Sequence, residues 1–134
     1  MENNDLVLVV DDNEDCREVL RIALRAFCIP VISACDGCQA LDLAIASRPA
    51  LIFMDLNMPE MNGFEATRAI HGHPDGQRIP IVAVSAHDTE IQKERALDAG
   101  CVEFLKKPWE LSDLVRILRE RIWSSSLSPL PAAG

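Results

Sequence analysis

The chain has 134 residues, 49% hydrophobic and 25% charged, with a net charge of −8; this suits one soluble globular domain with a proper core. The acidic balance argues against a broad nucleic-acid surface, and no apolar run approaches the roughly 18 residues that would suggest a membrane span. "MENNDLVLVVDD" lacks the basic start and cleavage site of a secretory signal, which for a full-length chain implies a cytoplasmic location.

The first segment, "LVLVVD" (6–11), is apolar and ends on Asp11, with Asp12 behind it. It reads as a strand buried on both faces. Residues 14–27 follow with helical spacing, Cys16, Val19, Leu20, Ala23 and Phe27 falling on one face. "PVISA" (30–34) is the second strand. "CDGC" (35–38) has the spacing of a redox pair, but no second such pair exists to complete a zinc site. Five cysteines, an odd number, suggest no disulfide framework, so "CDGC" reads as a Gly-containing turn. A short helix is expected over 38–47.

"ALIFMD" (50–55) is the third strand, doubly buried and ending on Asp55. The turn-rich "LNMPEMNG" leads to a helix over 63–71. "IPIVAVSA" (79–86) is a fourth, buried strand ending at Ser85. Residues 88–99 form a helix with a poor apolar stripe, stopped by Gly100; that suits a mobile, partner-binding face. "VEFLKKP" (102–108) is the fifth strand. Over 110–123, Leu111, Leu114, Val115, Leu118 and Ile122 repeat the helical stripe, with Ser112 or Asp113 early in the helix. The tail "SSSLSPLPAAG" (124–134) has no periodicity and reads as a flexible end or the start of a linker.

Five strand–helix repeats imply a parallel sheet with helices on both faces. In such sheets sites lie beyond the C-terminal ends of the strands. Asp11, Asp12, Asp55, Ser85 and Lys107 all fall there, although each alone would pass as a cap, turn or surface residue. Three adjacent carboxylates need a cation to stay ionised. A hard divalent ion with oxygen ligands, Mg²⁺ or alternatively Mn²⁺, suits them. With a lysine and a hydroxyl the set matches phosphoryl transfer, in which an aspartate can be the nucleophile.

The motifs "VVDDN" (9–13), "DG" with "AL" (36–41), "MDLNMPEMNG" (54–63), "VSA" (84–86) and "KP" (107–108) make the chain resemble the receiver domain of two-component response regulators over 5–123. The resemblance implies a flavodoxin-like doubly wound (βα)5 three-layer sandwich, sheet order 2-1-3-4-5. It also implies that Asp55 takes a phosphoryl group from a sensor histidine kinase or histidine phosphotransfer protein. Asp11, Asp12, Asp55 and the Asn57 backbone carbonyl would hold the metal, Lys107 would pair with Asp55, and Ser85 and Phe104 would be the switch pair. Lys106 would be a spectator, and the Lys107–Pro108 bond would be cis. His87 and Asn57 are expected to set the lifetime of the phosphorylated state, and Trp109 to pack near the rim of the site. A downstream protein would read the surface of helix four, strand five and helix five. The chain resembles a stand-alone receiver that binds neither nucleic acid nor membrane, as a monomer or a phosphorylation-dependent homodimer.

The main rival is an Asp-nucleophile, Mg-dependent phosphatase-like enzyme. Such enzymes resemble this chain in their strand-end Asp and their Lys, but carry D-x-D-x-T where this sequence has "DLNMP". A nucleotide-binding module is disfavoured by the lack of either glycine-rich phosphate motif. A receiver that binds without being phosphorylated is disfavoured by the full residue set.

Overall fold

The computed structural model describes residues 5–123; the expected flexible tail at 124–134 lies outside them. The elements run β1 (Val7–Val10), α1 (Glu14–Ala26), β2 (Val31–Ala34), α2 (Gly37–Ser47), β3 (Leu51–Asp55), α3 (Gly63–Gly72), β4 (Ile81–Ser85), α4 (Glu90–Ala99), β5 (Glu103–Lys106) and α5 (Leu111–Leu118). A π-helical turn at Arg119–Trp123 closes the described chain. All five strands are parallel, in the order β2-β1-β3-β4-β5. This is the doubly wound sandwich that the alternation predicts.

The period of two along each strand sorts side chains to opposite faces. Val7, Val9, Leu51, Phe53, Val82 and Val84 belong to one core cluster, completed by α1 and α5. Leu8, Val10, Ile52, Met54, Ile81 and Ala83 belong to the other, completed by α2, α3 and α4. β1, β3 and β4 are therefore buried throughout, as their continuous apolar runs suggest.

The helical stripes need correction. On α1, Val19 is 56% exposed, while Leu20 and Leu24 carry the core contact. On α5, Leu111 is 55% exposed, and Ile117, outside the expected stripe, is fully buried. Each exposed residue lies at the edge of its stripe, and the buried partner is set by which flank meets the sheet. The expected turn at "CDGC" is only its first half, because Asp36 caps α2 and Gly37 begins the helix; Cys35 and Cys38 are exposed. Gly37 is fixed by packing, because a Cβ there would collide with Met61. Gly100 ends α4 at φ 116°, the left-handed stop that its position suggests. α5 starts on a capping box between Glu110 and Asp113.

Candidate functional site

The register that pairs Val10 with Met54, and Asp55 with Val84, brings the ends of β1, β3 and β4 to one edge. Asp11 and Asp55 are buried there, and Asp12 is exposed. Carboxylate oxygens of all three lie within 4.8 Å of one another. Lys107, one residue past β5, reaches into the group. Its Nζ donates to Asp11 Oδ2 at 2.9 Å and stands 3.9 Å from Asp55 Oδ1. The expected pairing with Asp55 is thus the longer of two contacts. The nearer counter-ion is Asp11, so the ammonium bridges both carboxylates.

Backbone donors fix the acids. Asn13 N–H donates to Asp11 Oδ1, and Asn57 N–H to Asp55 Oδ1 at 3.1 Å. Asn13 also caps α1 through its side chain, which holds the β1–α1 turn beneath the site. Burial pushes the Asp55 carboxyl up to about 7, and the neighbouring Asp11 charge adds to this; the Asn57 N–H and Lys107 ammonium pull the other way. For Lys107, burial lowers proton affinity, but the bond to Asp11 and the charges of Asp55 and Asp11 outweigh it, so its pKa rises. The ammonium therefore stays protonated at neutral pH.

Ser85 is fully buried at the end of β4. Its Oγ accepts from Asn57 Nδ2 at 3.1 Å and from His87 N–H at 3.0 Å. Its own proton is directed to the His87 carbonyl, a long contact at 3.4 Å. Asn57 thus touches both Asp55 and Ser85, and His87 meets the site through its backbone. Phe104 is half-buried on β5, packs against the α4-side core, and carries Lys93 Nζ 6.0 Å from its ring centroid. Lys106 is exposed, and the Lys107–Pro108 bond is cis. Trp109 lies beside Lys107 and Pro108 at the wall of a cavity next to the site.

One supporting residue went unnoticed in the sequence. Arg17 Nη1 donates to the Asp11 backbone carbonyl at 2.9 Å and so braces the turn that carries both N-terminal acids. Its signal is faint: a basic residue one helical turn past the Asn13 cap.

An all-oxygen cluster with one lysine fits a hard divalent cation and an incoming phosphoryl group, and it fits no redox or nucleotide chemistry as well. Residues 7–119 match the response regulator receiver domain model. The chain belongs to that family. This receiver domain is 36% identical over 113 residues to the response regulator MprA of Mycobacterium tuberculosis, covering 84% of this chain and 48% of that protein. It thus spans about half the length of the MprA proteins it matches. It is also 34% identical to an uncharacterized 14.6 kDa protein of Leptolyngbya boryana, over 85% of this chain and 87% of that one. Among solved structures it resembles the chemotaxis protein CheY4 of Vibrio cholerae (TM-score 0.83, 29% identity, 88% and 98% coverage). It is equally similar to the receiver domain of sensor histidine kinase PA1611 of Pseudomonas aeruginosa (TM-score 0.83, 34% identity, 91% and 99% coverage), whose active-site cleft coordinates a magnesium ion. Membership places this domain in two-component signalling. No helix among the described residues is long and apolar enough to cross a membrane.

Proposed function

We propose that residues 5–123 act as a phosphoacceptor switch, in which Asp55 takes a phosphoryl group from a sensor histidine kinase or histidine phosphotransfer protein in the cytoplasm. The observation that carries this reading is the bridge of Lys107 across two buried carboxylates, with the Ser85 hydroxyl at the neighbouring strand end. Asp11, Asp12, Asp55 and the Asn57 carbonyl are the residues that would hold Mg²⁺, or Mn²⁺ in its place. The ion would neutralise charge gathered on the phosphoryl oxygens.

Asp55 attacks the phosphorus, the donor histidine nitrogen leaves, and an acyl phosphate forms on its carboxylate oxygen. Lys107 supplies a charge-assisted bond to the new group. The Ser85 hydroxyl has its proton on a long contact, so it turns toward a phosphoryl oxygen at little cost. That movement frees space for Phe104 to rotate inward, and it alters the surface of α4, β5 and α5 that a downstream protein reads. Receiver domains are signalling switches, and the chemistry of this one is on the chain's own aspartate. Asn57 and His87 tune its hydrolysis: Asn57 borders both reacting groups, and His87 holds the Ser85 hydroxyl.

The deciding experiment incubates the protein with Mg²⁺ and acetyl phosphate and reads intact mass. A gain of about 80 Da (one phosphoryl group), lost in Asp55→Asn and in EDTA, is expected. An unmodified wild-type mass, or an adduct that survives in Asp55→Asn, overturns the assignment. A dephosphorylation rate unaltered by His87→Ala removes His87 from the tuning pair.

A further inference from the structure

α4 packs between α3 and β5 with little apolar surface to hold it. Only Ala96 and Ala99 of its residues are buried, and its two long aliphatic side chains, Ile91 and Leu97, are 72% and 60% exposed. Two methyl groups contribute little burial energy. What flanks them is charge. The Arg95 guanidinium lies over the ring of Phe64 on α3, 4.0 Å from its centroid, and the Lys93 ammonium stands 6.0 Å from the centroid of Phe104 on β5. At about 100° per residue, Arg95 falls on one side of the Ala96–Ala99 stripe and Lys93 on the other. Neither cation joins an ion pair of the described residues, although Glu90, Glu94 and Asp98 share the helix.

A cation within about 6 Å of a ring centroid is attracted by the ring quadrupole. Arg95 is well inside that range and Lys93 at its limit. The rings differ in freedom too. Phe64 is buried and follows Gly63, which lies so close to the Asp55 backbone that a Cβ would not fit. Phe104 is only half-buried. We propose that α4 is clasped on its two flanks by cation–π contacts, a firm one from Arg95 to Phe64 and a loose one from Lys93 to Phe104, and that opening the loose one lets the helix roll toward α3. Lys93 and Arg95 are positioning residues, acting through the two aromatics. The clasps belong to the resting domain and need no phosphoryl group. Their link to Asp55 rests on the switch reading above: Phe104 rotating inward leaves Lys93 without its ring, while Arg95 keeps α4 against α3.

Hydrogen exchange of α4 amides, read against α1 amides of the same molecule, tests the clasps. Arg95→Gln and Lys93→Gln remove the charge and keep a polar chain. They should speed α4 exchange about fivefold and about twofold respectively, with α1 unchanged. In a Phe64→Leu background Arg95→Gln should have no further effect, and likewise Lys93→Gln in Phe104→Leu. Phe64 is a core residue, so Arg95→Lys, which keeps a cation and should recover most of the protection, is a second check that leaves the ring alone. With acetyl phosphate and Mg²⁺, on protein whose intact mass shows the adduct, α4 exchange should rise in the parent and rise no further in Lys93→Gln. A missing adduct counts against Asp55 as the acceptor, and the resting comparison then decides the clasps. The proposal falls if both Gln variants exchange like the parent, if either effect persists in its Leu background, or if the adduct forms and parent α4 stays as protected as before.

Discussion

Lys107 shows what a single residue contributes at this site. The "KP" motif singles it out as a site candidate, but the sequence carries no information on which carboxylate it meets first. That depends on a distance between strand ends, and the nearer acid is Asp11, at 2.9 Å. The same crowding gives Asp55 a proton affinity unusual for its type. Its carboxyl rises from 3.8 to about 7, with burial as the leading cause and the Asp11 charge next. A carboxyl bound more tightly to its proton in the folded state opposes folding once it ionises. The cost is absent below about pH 4, grows as pH rises, and is complete above about 7. In EDTA, Asp55→Asn should therefore stabilise the domain at pH 8 by about 2–4 kcal/mol, with the gain shrinking toward pH 5. Urea unfolding at the two pH values measures this. Equal gains at both would show that charge is not the cause.

At the scale of elements, strand reading succeeded because a doubly buried parallel strand is a run of apolar residues needing no phase. Helices were harder. An amphipathic stripe fixes a face only to within one neighbouring row, so the stripes include Val19 and Leu111 and leave out Leu24 and Ile117. The sheet decides between them by where it lies. Ile117→Ala should cost about 2–5 kcal/mol and Leu111→Ala under about 0.5, a contrast that thermal unfolding resolves. Termination was better encoded. Gly100 sits at φ 116°, and a Cβ there would lie 2.5 Å from His71 Nδ1, on a ring whose Nε2 is within hydrogen-bonding distance of the Ile79 carbonyl, at 2.8 Å. Gly100→Ala is expected to destabilise by about 1–3 kcal/mol through backbone strain and displacement of that ring. A midpoint unchanged in denaturant would contradict it. Gly63 is constrained differently: a Cβ would strike the Asp55 backbone carbonyl. The end of "MNG" is glycine because α3 starts against the strand that presents the acid.

For the whole molecule, topology was legible because five βα repeats leave few right-handed arrangements. The convergence of Asp11, Asp12, Asp55, Ser85 and Lys107 followed from it. The cavity beside Trp109 was not legible. Its walls come from β1, α1, β3, β4 and the segment after β5, and its empty space is the residue of their packing. The carboxylate cluster also makes stability respond to ions. Mg²⁺ at millimolar levels should raise the melting temperature at pH 8 by several degrees through preferential binding to the folded state. The rise should be smaller at pH 6, where Asp55 holds its proton, and lost in a variant with Asp11→Asn and Asp12→Asn. Calorimetry with Mg²⁺ and with EDTA checks this.

The contact between Lys107 and Asp11 spans 96 positions of sequence. No fragment of the domain can assemble it locally, and a nascent chain lacks it until its last strand has docked. If Asp55 is the phosphoacceptor proposed above, its reactivity reports completed assembly. In a refolding experiment interrupted by brief pulses of acetyl phosphate and Mg²⁺, mass-labelled molecules should accumulate with the slowest step that brings β5 against β4, behind the recovery of helical signal. Labelling that keeps pace with helix formation would show that the acid is competent without its distant lysine.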